Sequence, residues 1–223
     1  MKKILLWALV VGAVLFGVYG EARAKLPQNY SEFKARYQSE GRTMEGAAHL
    51  YFEAVFSYLN ENTRGEASKM LRYAMYLPMP LEQSNSYKTF VERMKPSEFH
   101  YIFRSFSEGT SPETSYAMSP DNFKLKIVST RKESDFIQLF LRSSGADSPR
   151  SIWMQEHDGL WYTINNASTY SQVREPKAAT DARRNAHDAD YDVLLPKPAK
   201  EKTNQEDSNK KDSGQDSGAV WSK

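Results

Sequence analysis

The strongest pattern in the chain is a helical stripe. In TMEGAAHLYFEAVFSYLN, which starts at Thr43, residues Ala47, Leu50, Tyr51, Ala54, Val55, Tyr58 and Leu59 recur at steps of three and four. That spacing places them on one apolar face, and Thr43 has the chemistry to cap the helix. A shorter helix is predicted ahead of it over residues 31–38, capped by Ser31 and broken at Glu40-Gly41-Arg42. A third lies in EASKMLRYAMYL, with Ala67, Met70, Leu71 and Ala74 on one face and Pro78 and Pro80 ending it. SNSYKTFVERMK reads as a fourth, stopped by Pro96, and Ser97 is placed to cap a fifth in SEFHYIFRSF. Ser111-Pro112-Glu113 and Ser119-Pro120-Asp121 each carry a helix-start signature, enough for a single turn inside an ordered loop.

The period then changes to two. FKLKIV alternates with Phe123, Leu125 and Ile127 on one side, and residues 131–134 form a turn. DFIQLFLR puts Ile137, Leu139 and Leu141 on one face and Phe136 and Phe140 on the other. SIWMQEH and LWYTIN follow, joined by Asp158-Gly159, a pair typical of a tight hairpin. Four strands with short connections predict an antiparallel meander. The fold class is therefore α+β, N-terminal helices packed on a C-terminal antiparallel sheet of four strands.

SSGADSPR, residues 143–150, separates the second and third strands. It lacks the G-x-S-x-G of a nucleophile elbow and sits between two strands rather than between a strand and a helix. It reads as a turn: Gly145 allows positive φ, Asp147 and Ser148 bond nearby backbone, and Pro149 stiffens the exit. Arg142 and Arg150 flank it and are placed to clamp a carboxylate, Asp147 included.

The chain ends add location. Lys2 and Lys3 precede an apolar run over residues 4–18, and Ala22-Arg23-Ala24 supplies the small residues a signal peptidase reads. Residues 1–24 are expected to be a bacterial signal peptide cleaved after Ala24, which sends the protein to the periplasm or beyond. Contact with a membrane is expected only if that leader stays uncleaved. Residues 25–170 then form the α+β domain. Residues 171–195 are a linker with a weak helix around 178–189, and 196–223 a polar tail with the lone Trp221, expected to be disordered.

Composition removes several chemistries. The chain has no cysteine, hence no disulfide, thiol nucleophile or thiolate metal site. A net charge of +2 with interspersed signs argues against nucleic acid as a partner. There is no HExxH, calcium loop or phosphate-cradling glycine loop, so no cofactor is expected. His49 and Glu53 have ligand spacing on one helix face but read as a surface pair beside the apolar stripe. Trp153, Trp161 and Tyr162, with Asn165 and Asn166 at the strand end, are aromatics beside amides, suited to a flat ligand or to core packing.

The helix AAHLYFEAVFSYL, the helices after it and a sheet ending in DGLWYTINN resemble the NTF2-like family over residues 43–167. That likeness implies a bent sheet around helices, enclosing a conical pocket. Residues 84–122 are interposed between helices and sheet, and no catalytic set of that family matches here residue by residue. EGAAHLYFEAVF, FVERM, IFRSF, GTSP, LRSSGADSPR and DGLWYTINN together also look like an uncharacterised family of exported bacterial proteins, a domain of unknown function. The expected role is a non-enzymatic binding or interaction module of the bacterial envelope. Its partner would be an unknown small ligand or an envelope protein, met at Tyr51, Arg142, Trp153, Trp161 and Asn165. The alternative is a small-molecule isomerase or hydrolase built on Glu53, His49 or Asp147.

Overall fold

The computed structural model describes residues 25–186. The expected leader, the polar tail with Trp221, and His187 lie outside the described residues. Within them, α1 spans Tyr30–Glu40, α2 Met44–Leu59, α3 Arg64–Ala74, α4 Lys88–Met94, α5 His100–Arg104 and α6 Lys177–Arg184. The strands are β1 Ile127–Lys132, β2 Ile137–Leu141, β3 Arg150–His157 and β4 Leu160–Asn165, antiparallel in the order β1-β2-β3-β4. This is the α+β arrangement expected, with α1–α5 preceding the sheet and α6 following it.

The helix ends follow from their caps. Thr43 Oγ1 accepts the Gly46 amide at 3.0 Å, as its position suggests. α1 starts earlier than expected, because Asn29 rather than Ser31 takes the capping role: its Oδ1 accepts the Glu32 amide at 2.9 Å. Ser97 caps nothing; a 3₁₀ turn over Ser97–Phe99 leads into α5 instead.

α2 is buried almost all round. From Ala47 onward only His49 retains partial exposure. The apolar stripe was one side of it. On another side Phe52 meets Phe106 at 5.0 Å between ring centroids, and Phe56 meets Phe123 at 4.8 Å. A helix apolar on every face needs cover on every face, which α1, α3, α4, α5 and β4 supply.

In the sheet, Ile137 pairs with Met154 and Leu139 with Ile152. Leu139, Leu141, Ile152 and Met154 are fully buried. β1 begins later than the alternation suggested. Phe123 leaves the ladder to pack among the helices, Leu125 makes a lone bridge to Ser107, and the strand continues through Lys132 where a turn was expected. The β3–β4 turn is of type I′: Asp158 and Gly159 have φ of 52° and 77°, which glycine at the second position permits without strain. β4 is an edge strand, and α1 seals it. Trp161 donates its amide to Gly41 O at 2.8 Å, and its carbonyl accepts Tyr37 Oη at 2.7 Å, so this stretch of edge is closed to further pairing.

Candidate functional site

The five residues expected to line a site do not converge. Tyr51 is fully buried in α2, its hydroxyl accepting Asn166 Nδ2 at 2.9 Å. Trp153 stacks on Phe136 at 4.4 Å and 8°. Its cross-strand partner is Asn165, whose Oδ1 accepts the Ala167 amide. Trp161 pairs with Glu156 and shares Met154's face of the sheet, the side opposite Trp153. Arg142 stands at the end of β2 by a different cleft. Only Trp153 and Asn165 are brought together.

That cleft, of about 650 Å³, is walled in part by Ser144 of the serine loop. Ser105 Oγ donates to Ile102 O at 2.6 Å and meets Ser143 Oγ at 2.8 Å. Thr110 Oγ1 donates to Ser107 O at 2.7 Å and meets Ser144 Oγ at 2.9 Å, and Ser144 Oγ also reaches Ser105 O. Ser105, Thr110 and Ser144 each have a backbone carbonyl as acceptor, and Ser143 Oγ accepts the Gly145 amide at 3.3 Å, so these hydroxyls staple loops together. Gly145 does not have positive φ. It is needed for close approach: a Cβ there would meet Tyr116 Oη and Val173 Cγ1 at 2.5 Å. Asp147 is paired by Arg174 at 2.5 Å, not by Arg142 or Arg150. The loop also orders residues 173–174. Arg174 donates its amide to Gly145 O, and Tyr116 Oη, its phenol pushed up by burial to about 12, donates to Arg174 O.

His49 and Glu53 are not a surface pair. Glu53 is 2 % exposed. Arg36 grips it at both oxygens, 2.8 and 2.9 Å, while also holding Glu40, and His49 Nδ1 lies 3.0 Å from it. Burial alone would lower the Arg36 pKa, but the hydrogen bonds and charges of Glu40 and Glu53 outweigh it and hold the guanidinium above its ordinary range. His49 stacks on Phe123 at 4.2 Å, and its buried Nε2 faces no hydrogen-bond partner among the described residues. It does not line the serine-loop cleft. A carboxylate already saturated by a guanidinium is a poor general base. Among the described residues no three His, Asp or Glu side chains cluster as metal ligands.

A more apolar cavity lies where α1, α3 and β4 meet. It is a cleft of about 780 Å³ lined by Tyr30, Lys69, Arg72, Tyr73, Tyr76, Leu77, Pro78 and Tyr162, within the usual size of small-molecule sites. The end of α3 builds it. Tyr76 donates its amide to Tyr73 O at 3.0 Å and Leu77 to Arg72 O at 2.9 Å, and Tyr76 has φ of 52°. This is a Schellman ending, in which glycine is the usual left-handed residue. Here it is a tyrosine, followed by Leu77 and Pro78. The left-handed turn sends the Tyr76 ring onto His157, parallel at 4.3 Å, and to 4.9 Å from Tyr162. His157 is steadied by Gln155 at 2.9 Å. Tyr73 stands edge-on to Tyr162 at 5.9 Å and to Tyr30 at 6.1 Å. Burial, reinforced by the Tyr73 hydroxyl, pushes the Tyr162 phenol well above its ordinary range, so it stays a neutral hydrogen-bond donor.

Of these lining residues, the sequence singled out only Tyr162, as an aromatic of the last strand. Tyr30, Tyr73 and Tyr76 were missed. The one local signal is AMYLP, a helix ending before proline with no glycine where the chain must turn left-handed.

Among the described residues no helix is long and apolar enough to cross a membrane. No curated protein and no solved structure matches the chain. Residues 25–177 match the family described as a domain of unknown function (DUF6935), and the chain belongs to that family.

Proposed function

We propose that this protein is an exported, non-enzymatic binding module of the bacterial envelope, and that it takes a small ligand in the tyrosine cleft between α3 and β4. The observation that carries the reading is Tyr76. A non-glycine residue in the left-handed region costs about 1–2 kcal/mol; of the five such residues described, Tyr76, Ser115, Tyr116, Asp158 and Gln172, Tyr76 is the one that lines this cleft. Tyr76 is 54 % exposed as a residue, and its ring, with one face backed by His157, forms a stacking platform. The leader pattern supports export, and the family match begins at Lys25, the residue after the expected cleavage point.

The competing reading is a small-molecule isomerase or hydrolase on an NTF2-like frame. It would need a base and a reacting group facing one cavity. The tyrosine cleft is walled by phenols, two cations, a leucine and a proline. That is a binding surface with no obvious base.

The test is native mass spectrometry of the protein recovered from a periplasm, in its natural form and as Tyr76→Gly. The expected result is an added non-protein mass on the natural form. It should be absent from the variant, whose fold glycine preserves at that position. A bare mass on the natural form, with no thermal shift from any member of a panel of aromatic, sugar and lipid ligands, would overturn the proposal.

A further inference from the structure

The cleft has a charge pattern that narrows its ligand. Its walls are rings, Leu77 and Pro78, which suit an apolar body. Its charged members are both cations, Lys69 and Arg72. A third, Lys34, holds its Nζ 5.9 Å from the Tyr73 ring centroid. Two carboxylates lie close by. Glu66 is engaged by Lys69 at 2.5 Å and by the Tyr30 amide at 2.9 Å, contacts that hold it below its ordinary range. Asp158 sits in the β3–β4 turn and acts on the Tyr162 phenol.

Arg72 is the unusual member. Its Nε donates to Leu77 O at 3.3 Å and its Nη2 to Pro78 O at 2.8 Å. Both acceptors are neutral carbonyls of the strained turn that carries Tyr76. Among the described residues no carboxylate stands within ion-pair distance of Arg72. The residue is exposed, and these two bonds direct its guanidinium along the cleft wall, with no ion-pair partner among the described residues. Its planar fork suits a carboxylate, sulfonate or phosphate.

We infer that the cleft selects an amphipathic organic anion: an apolar, preferably flat body lies against Tyr76, Tyr162 and Tyr73, and a single acidic group meets Arg72, with Lys69 adding to the field. This inference rests on the tyrosine cleft being the ligand site and goes further by naming the class of ligand. A neutral aromatic would use the rings and leave Arg72 idle.

The test uses two fluorescent probes that share one skeleton, 8-anilinonaphthalene-1-sulfonate and its neutral counterpart N-phenyl-1-naphthylamine. Each is titrated against the full exported chain. The sulfonate should bind about tenfold more tightly than the neutral skeleton, and Arg72→Gln should remove most of that difference. Tyr76→Gly should weaken both probes alike. Arg72 also holds two carbonyls, so the selectivity is checked separately with Lys69→Gln, which should lose part of it. A salt titration of the unmodified protein should weaken the sulfonate and leave the neutral probe unchanged. If both probes bind equally, respond to Tyr76→Gly and ignore Arg72→Gln, the anion class is overturned while the cleft remains the ligand site. If neither probe binds, or neither responds to Tyr76→Gly, the cleft itself is lost as the site and the ligand class falls with it.

Discussion

Removing Arg36 should damage this protein more than removing the charge it neutralises. Glu53 is 2 % exposed and takes both of its Arg36 hydrogen bonds at 2.8–2.9 Å. In Arg36→Met the aliphatic stem is kept, but a buried carboxylate is left with only His49 Nδ1 at 3.0 Å. Removing one partner of a buried pair costs about 3–5 kcal/mol, mostly because the other charge is stranded. For a protein of this size each kcal/mol moves Tm by about 2–4 °C, so a fall of roughly 6–20 °C is expected. Glu53→Gln strands far less. Arg36 still holds Glu40 at 2.8 and 3.0 Å and keeps some access to water, so the expected loss is about 1.5–3 kcal/mol. The decisive variant is the double, Arg36→Met with Glu53→Gln. It contains no stranded charge, so it should be at least about 1 kcal/mol more stable than Arg36→Met alone. Urea unfolding followed by far-UV circular dichroism gives all three values on one scale. If the losses simply add, Glu53 is not an uncompensated buried charge when Arg36 is gone, and the reasoning fails.

Two other perturbations test separate parts of the fold. Gly145→Ala places a methyl group 2.5 Å from both Tyr116 Oη and Val173 Cγ1, and this overpacking should lower stability by about 1–3 kcal/mol in thermal denaturation; an unchanged Tm would mean that the loop does not hold residues 173–174. Burial holds the His100 imidazole below its ordinary 6.5; the ring's bond to Met94 O opposes this, and the charges of Arg104 and Arg64 add to it. The unfolded chain then binds a proton the folded one refuses, so this contribution is complete above about pH 6.5 and is lost as the pH falls toward the lower folded value. His100→Gln, which keeps a donor toward Met94 O, should flatten the decline of Tm between about pH 7 and 5; an unaltered slope would assign the decline to other groups.

The parts of the fold legible in the sequence are those whose signal is local. Thr43 and the stripe after it announce α2, and Asp158-Gly159 announces the last hairpin, because cap and turn chemistry act over a few residues. The start of β1 was misread for a physical reason. Phe123 and Leu125 alternate with lysines as a half-buried strand would, but alternation records only which side chains are buried. Phe123 is buried against α2, not within a ladder. The burial of Glu53 was equally hidden. A single acid beside an apolar stripe looks solvated until the fold brings Arg36 of α1 across it. The cleft was the least legible feature, since Tyr30, Tyr73, Tyr76 and Tyr162 come from α1, the end of α3 and β4, and no spacing rule connects them.

Tyr76 nevertheless left a trace, and the energetics indicate how to read it. Glycine at that position would satisfy the same two Schellman hydrogen bonds without the left-handed penalty of about 1–2 kcal/mol. The ring offsets that cost: its pairs with His157 and Tyr162 contribute about 0.5–1.5 kcal/mol each, beyond the apolar area they bury. The fold therefore gives tyrosine a local reason to sit at the end of α3, and what remains is the part of the residue left exposed. On the proposed reading, that exposed surface is where a ligand stacks. Arg72 points the same way, since its guanidinium braces the carbonyls of that turn while its charge stays unpaired among the described residues. One short turn thus carries the ring and the charge together, and a ligand that uses both should bind better than one that uses either alone.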